Sequence, residues 1–139
     1  MITKILLGYD GSGSADHALA FSCDLARRYN AELHVLAVAR PPEFADDVET
    51  QAIIEDSQRR CEQALESVKA RVAAEPIEAR FEVAVGHPAE QLVLYAERHG
   101  IDHIVVGHRG RTLFERWLIG SVARQVIAYA HCAVTVVRA

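Results

Sequence analysis

Two glycine-bearing turns, each set where an apolar run stops, hold most of the chemistry open to this chain. The first is Gly8-Tyr9-Asp10-Gly11-Ser12-Gly13-Ser14; the second opens at Gly107-His108-Arg109-Gly110 and closes at Gly120-Ser121. Glycine lets backbone N–H groups approach an anion without a side chain in the way, and a helix N-terminus adds unpaired donors and a favourable dipole. The spacing G-x2-G-x9-G-S between an apolar run and a helix start therefore suits a phosphate group, with the Ser121 hydroxyl and the amides of Ser121 and Val122 at the helix mouth. The plainer alternative is that these glycines only let a strand turn into a helix.

Other groups near these turns admit more than one role. Asp10 stands at a strand end, where a carboxylate can accept a phosphoryl group, bond the backbone of Ser12 in a turn, or hold a magnesium ion. A phosphoacceptor would need a further Asp at the end of the third strand and a Lys at the end of the fifth, and Val85-Gly86 and Val137-Arg138 stand there instead. Arg109 and Arg111 can pair with phosphate oxygens in a forked geometry, although solvated arginines are the common outcome. His99 and His103 are split by Gly100 and have no acidic or Cys companion, a poor zinc set. Neither GxxxxGK[ST] nor GxGxxG occurs, and no histidine is spaced from Ser12 or Ser14 to suggest a triad.

The elements that position these turns follow from periodicity. Ile5-Leu6-Leu7 reads as a buried strand, and Ala15, Ala18, Leu19, Ser22, Leu25, Ala26 and Tyr29 form one face of a helix over 15–29 with Ser14 as cap. A second buried strand spans 32–39 and stops at Pro41-Pro42; a long amphipathic helix follows over 46–74, striped by Ile54, Cys61, Ala64, Leu65, Val68 and Val72. Phe81, Val83 and Val85 alternate with wetter residues as in an edge strand. Pro88 opens a third helix that ends at His99-Gly100, Ile104-Val105-Val106 is a strand running directly into Gly107, a helix follows Gly120, and residues 133–137 close as a strand. Strict alternation predicts an α/β fold, an open five-stranded parallel sheet with helices on both faces. Ligands in such sheets sit at the strand order's reversal, and only the first and fourth strands carry glycine loops, so the expected order is 3-2-1-4-5.

Composition sets the bounds. The 139 residues, half of them hydrophobic, suit a single domain over 1–139. A net charge of -4 with scattered Lys and Arg gives no basic stripe, so nucleic acid is not the expected partner. Cys23, Cys61 and Cys132 are widely spaced in apolar segments, as reduced thiols would be, and no run reaches membrane-spanning length. A soluble, cytoplasmic protein without membrane contact is expected.

Taken together, the G-x2-G-x9-G-S run, its flanks from Gly107 to Val122, the closing Cys132-Ala133-Val134-Thr135-Val136-Val137 and the opening Ile5 to Ser12 resemble the universal stress protein family, in particular its ATP-binding branch. The resemblance covers the whole length and implies a Rossmann-like, adenine nucleotide alpha hydrolase-like fold, ATP held between the first and fourth strands, and a homodimer. It would place Asp10 by the ribose and adenine, and the backbone of Val38 or Ala39 against the adenine. Val106, Gly107, His108, Arg109, Gly110, Gly120, Ser121 and Val122 would surround ribose and phosphates. His108 stands where the family often has a small residue, so its side chain can face phosphate or water. Mg²⁺ would accompany the triphosphate, with Asp10 and phosphate oxygens as hard ligands. The implied role is a regulatory stress-response module whose nucleotide occupancy alters the dimer or a partner surface, with no dedicated catalysis. The alternatives are a slow nucleotide hydrolase or self-phosphorylating enzyme on the same fold, and a nucleotide-free partner-binding protein. The apolar terminal strand Val134-Val137 is the expected dimer edge.

Overall fold

Apolar runs bounded by glycine or proline become strands, and the three- and four-residue periodicities become helices. The computed structural model describes residues 1–42, 48–108 and 120–138. In chain order its elements are β1 (Lys4–Gly8), α1 (Gly13–Tyr29), β2 (Glu32–Ala39), α2 (Val48–Ala73), β3 (Ala79–Val85), α3 (Pro88–His99), β4 (His103–His108), α4 (Ser121–Tyr129) and β5 (Ala133–Arg138). All strand pairs are parallel and the sheet runs β3-β2-β1-β4-β5, the order expected. Leu7 pairs with Val35 on one side and Val105 on the other, so β1 is flanked along its length.

Side chains of a strand alternate between faces, and this parity divides the core in two. Ile5, Leu7, Leu33, Val35, Ala37 and Val105 pack against α1 and α2, whose contributions include Ala18, Leu19, Leu65 and Val68. Leu6, Leu36, Ile104 and Val106 pack on the opposite face against Leu92, Tyr95 and Ala96 of α3 and Ala123 and Val126 of α4. Near-continuous burial along β1, β2 and β4 is what strands covered on both faces require. β3, at the edge, alternates half-buried and exposed positions from Ala79 to Val83 as its sequence predicts, but Val85 at its end is exposed while Ala84 is half-buried. The amino terminus is tied down by Asp102, whose Oδ2 accepts from the Thr3 and Lys4 amides at 2.8 and 3.1 Å.

Several local expectations change. α1 begins at Gly13 and its cap is Ser12, not Ser14: Ser12 is extended (φ -76°, ψ 165°) and its Oγ accepts from the Ala15 amide. Ser14 is instead buried, turned inward toward β4. β4 does not stop at Gly107 but continues through His108, because both residues still pair with β5 (Gly107 with Val137, His108 with Arg138). Tyr29 is mostly exposed, at the last helical position before Asn30, whose left-handed conformation ends the helix. Cys23 is buried, whereas Cys61 and Cys132 are half-buried, and burial pushes all three thiols up. The expected helix start at 46 lies outside the described residues. No helix among the described residues is long and apolar enough to cross a membrane.

Candidate functional site

A cleft of about 600 Å³ opens at the carboxyl ends of the central strands. Parity decides which side chains reach it. The even-numbered row of β2 sends Leu36 and Val38 into the cleft, and Arg40, just beyond the strand, continues that row. Pro88 and Leu92 from α3 form the facing apolar wall. The other end is polar and bare: Asp10, Ser12 and Ser14 come from the first glycine turn, and Gly107, Gly120, Ser121 and Val122 from the second. Loop and strand ends from opposite halves of the chain thus meet in one space, with apolar side chains and bare polar backbone both in its lining.

Asp10 fulfils the turn-forming reading, its Oδ1 accepting from the Ser12 amide at 3.0 Å, and also lines the cleft. The neighbouring Tyr9 hydroxyl donates to Asp16 Oδ1 at 2.7 Å, and Arg71 reaches the same oxygen at 3.1 Å. Burial and then the Asp16 bond push the Tyr9 phenol up to about 12, so it holds its proton and serves as a fixed donor.

The glycines divide by cause. A Cβ on Gly107 would stand 2.8 Å from the Ser14 carbonyl carbon and oxygen, so this glycine is imposed by the first turn of α1 pressing on β4. Gly120 is different: its φ of -60° suits any residue, and an added Cβ would meet nothing nearer than His108 Nδ1 at 3.8 Å. Nothing in the described fold demands a bare backbone at Gly120. It caps α4 without a side-chain bond, and the amides of Ser121, Val122 and Ala123 in that first turn have no carbonyl in their own helix to bond.

His108 does not face water. Its even parity turns the ring toward α4, where it is buried and its Nδ1 accepts the Gly120 amide at 3.0 Å. Ala39 is also buried and does not line the cleft, its carbonyl being engaged by the Gly86 amide at 3.0 Å. Val38 does line it. Arg109, Gly110 and Arg111 lie outside the described residues. His99 and His103 do not converge: the first stacks on Tyr95 with ring centroids 3.8 Å apart, and the second meets Thr135 Oγ1 at 2.7 Å. Among the described residues no cluster of three or more His, Cys, Asp or Glu could hold a metal ion. Sequence reasoning missed Arg40, Pro88 and Leu92 as cleft residues. The signals that could have found them were the parity 36, 38, 40 along β2 and the inward face of the helix opened by Pro88.

Residues 1–138 match the model of the universal stress protein family. The chain belongs to this family. Universal stress protein MJ0531 of Methanocaldococcus jannaschii is 33% identical over 142 residues, spanning 97% of this chain and 81% of that protein. Universal stress protein UspA from Lactobacillus plantarum superposes with a TM-score of 0.88 at 26% identity, covering 98% and 97% of the two chains. A universal stress protein solved in complex with cAMP shares the fold with a TM-score of 0.76 at 24% identity, over 97% and 96% of the chains. The universal stress sheet, with helices on both faces, is therefore the scaffold that brings the two glycine turns together.

Proposed function

We propose that this universal stress protein binds ATP in the cleft between β1 and β4 and works as a regulatory module, one domain over 1–139, in the cytoplasm. The observation that carries the reading is Gly120: a glycine that none of the described residues around it requires, set at the N-terminus of α4 beside Ser121. A phosphate needs that clearance, and the α4 amides with the Ser121 hydroxyl supply donors to it. The apolar slot formed by Val38, Pro88 and Leu92 suits the adenine, and Asp10 sits between the two ends, by the ribose. The cAMP complex of a relative with the same fold supports an adenine nucleotide as the ligand class. Mg²⁺ would be held chiefly by the phosphate oxygens, with Asp10 as the one protein carboxylate lining the described cleft.

Nucleotide occupancy would be read out by a homodimer formed through β5, with no role for nucleic acid or membrane. Asp10 in the cleft also keeps a slow hydrolase in view; steady phosphate release that stops in Asp10→Ala would favour it. The deciding experiment is calorimetry with ATP and AMP, together with mass spectrometry of nucleotide released on heating the freshly purified protein. Binding at micromolar Kd, about -8 kcal/mol, is expected. No heat with either nucleotide, and none released, would overturn the reading.

A further inference from the structure

We propose that Arg40 is the base-reading residue of the cleft, closing the apolar slot with a guanidinium laid against the nucleobase; this rests on the nucleotide reading above. Strand parity puts Arg40 in the same row as Leu36 and Val38, and it lines the same cleft. Pro41 follows directly and fixes the backbone just after it, so the side chain leaves from a stiff point.

Position separates Arg40 from the phosphate end. β2 lies two strands from β4 in the sheet, and a strand spacing of ~4.8 Å sets their tips about 10 Å apart. The bare amides of α4 and the gap at Gly120 follow β4, whereas Arg40 follows Val38 at the end of β2, in a cleft whose apolar lining includes Pro88 and Leu92. A guanidinium beside an apolar slot can lie flat against the face of a planar π-system, which a nucleobase in that slot would present.

Arg40 is also held in reserve by no carboxylate. Arg27, Arg28, Arg59, Arg60, Arg71 and Arg80 each pair with an Asp or Glu, while Arg40 is exposed and has no acidic partner among the described residues. Arg40 and Asp10 are the charged side chains of the described lining, and they sit at the tips of neighbouring strands. The cation therefore marks the base end and the carboxylate the middle of the cleft.

The test is calorimetry of the full chain and of Arg40→Ala, Arg40→Gln and Arg40→Lys with AMP, ATP and inorganic tripolyphosphate, with unliganded melting temperatures as the folding control. A base contact predicts that Arg40→Ala and Arg40→Gln weaken AMP and ATP by the same factor, about 5- to 10-fold, that Arg40→Lys loses less, and that tripolyphosphate binding is unchanged. A loss that grows from AMP to ATP and extends to tripolyphosphate would make Arg40 a phosphate ligand and overturn the proposal. Unchanged AMP and ATP affinity would overturn it as well, while leaving the cleft's nucleotide reading intact. Failure of that reading looks different, because the unsubstituted protein would then bind neither nucleotide, and Arg40's role would fall with it.

Discussion

The amide of Gly120 donates to Nδ1 of His108 at 3.0 Å, joining the last residue of β4 to the cap of α4. Accepting this bond means that Nδ1 carries no proton, so the buried ring acts as an acceptor and sets where the α4 mouth begins. His108→Leu keeps an apolar body of similar size but removes the acceptor. ATP affinity should then fall about tenfold, the scale of one lost hydrogen bond, while His108→Gln, which retains an acceptor, loses less. Calorimetry distinguishes the two, and equal affinity in His108→Leu would show that the ring does not aim the Ser121 and Val122 amides.

Gly107 and Gly120 should fail in opposite ways. A methyl on Gly107 meets the Ser14 backbone at 2.8 Å, and backbone cannot swing aside as a flexible side chain can. Gly107→Ala should therefore lower unfolding free energy by about 1–3 kcal/mol in urea titrations. Gly120→Ala should cost under about 1 kcal/mol, because its conformation suits any residue and, among the described residues, a Cβ there meets nothing nearer than 3.8 Å. Gly120→Val, by contrast, fills the space at the α4 mouth and should abolish ATP binding in a protein that still folds. The pair tells a glycine required by packing from one required by a ligand.

How much of this was legible in the sequence depends on the range of the interaction. Strand and helix alternation is local, and the order β3-β2-β1-β4-β5 followed from placing the two glycine turns side by side. Asp10's bond to the Ser12 amide was legible for the same reason, being two residues long. The role of Gly107 was not, because Ser14, the residue that forbids a Cβ there, is distant in sequence and was itself read as a cap. His108 was open between phosphate and water because its parity follows only once β4 is known to run two residues past Val106. Arg40 went unread because a residue between a strand and Pro41-Pro42 looks like loop until the cleft gives its side chain a destination.

Acid should weaken the fold through buried histidines. His34 is 2% exposed, with its Nδ1 2.6 Å from the Tyr95 hydroxyl and its Nε2 3.4 Å from Glu32 Oε1, too poorly aligned for a hydrogen bond. Burial pushes its pKa down despite the pull of Glu32, and burial does the same to His103. The unfolded chain takes up protons near the ordinary value of 6.5 while the folded chain binds fewer. Stability contributed by these groups is therefore full above that value and declines as pH drops below it. Urea midpoints should fall from about pH 7 to about pH 5, and the slope should flatten in a His34→Gln, His103→Gln double variant. Tyr95→Phe should cost about 1–3 kcal/mol at neutral pH by stranding Nδ1 in the core.

The dimer prediction rests on β5, which closes the sheet at the edge opposite β3. Its residues from Val134 to Val137 are half-buried in the single chain, and the strand contains no Pro or Lys to discourage a partner. Val134 and Val136 rest on the core shared with α3 and α4, while Ile127 and Tyr129 of α4 leave 47% and 69% of their surface to solvent. Pairing of two β5 edges about a two-fold axis would satisfy the outward backbone groups of both copies at once. Sedimentation at tens of micromolar should show a dimer. Val136→Lys should give a monomer with unchanged circular dichroism, since its ammonium can reach water in the monomer but would be desolvated against a second copy. A monomer in the unsubstituted protein, or a dimer indifferent to Val136→Lys, would place the assembly surface elsewhere and leave the β5 edge unexplained.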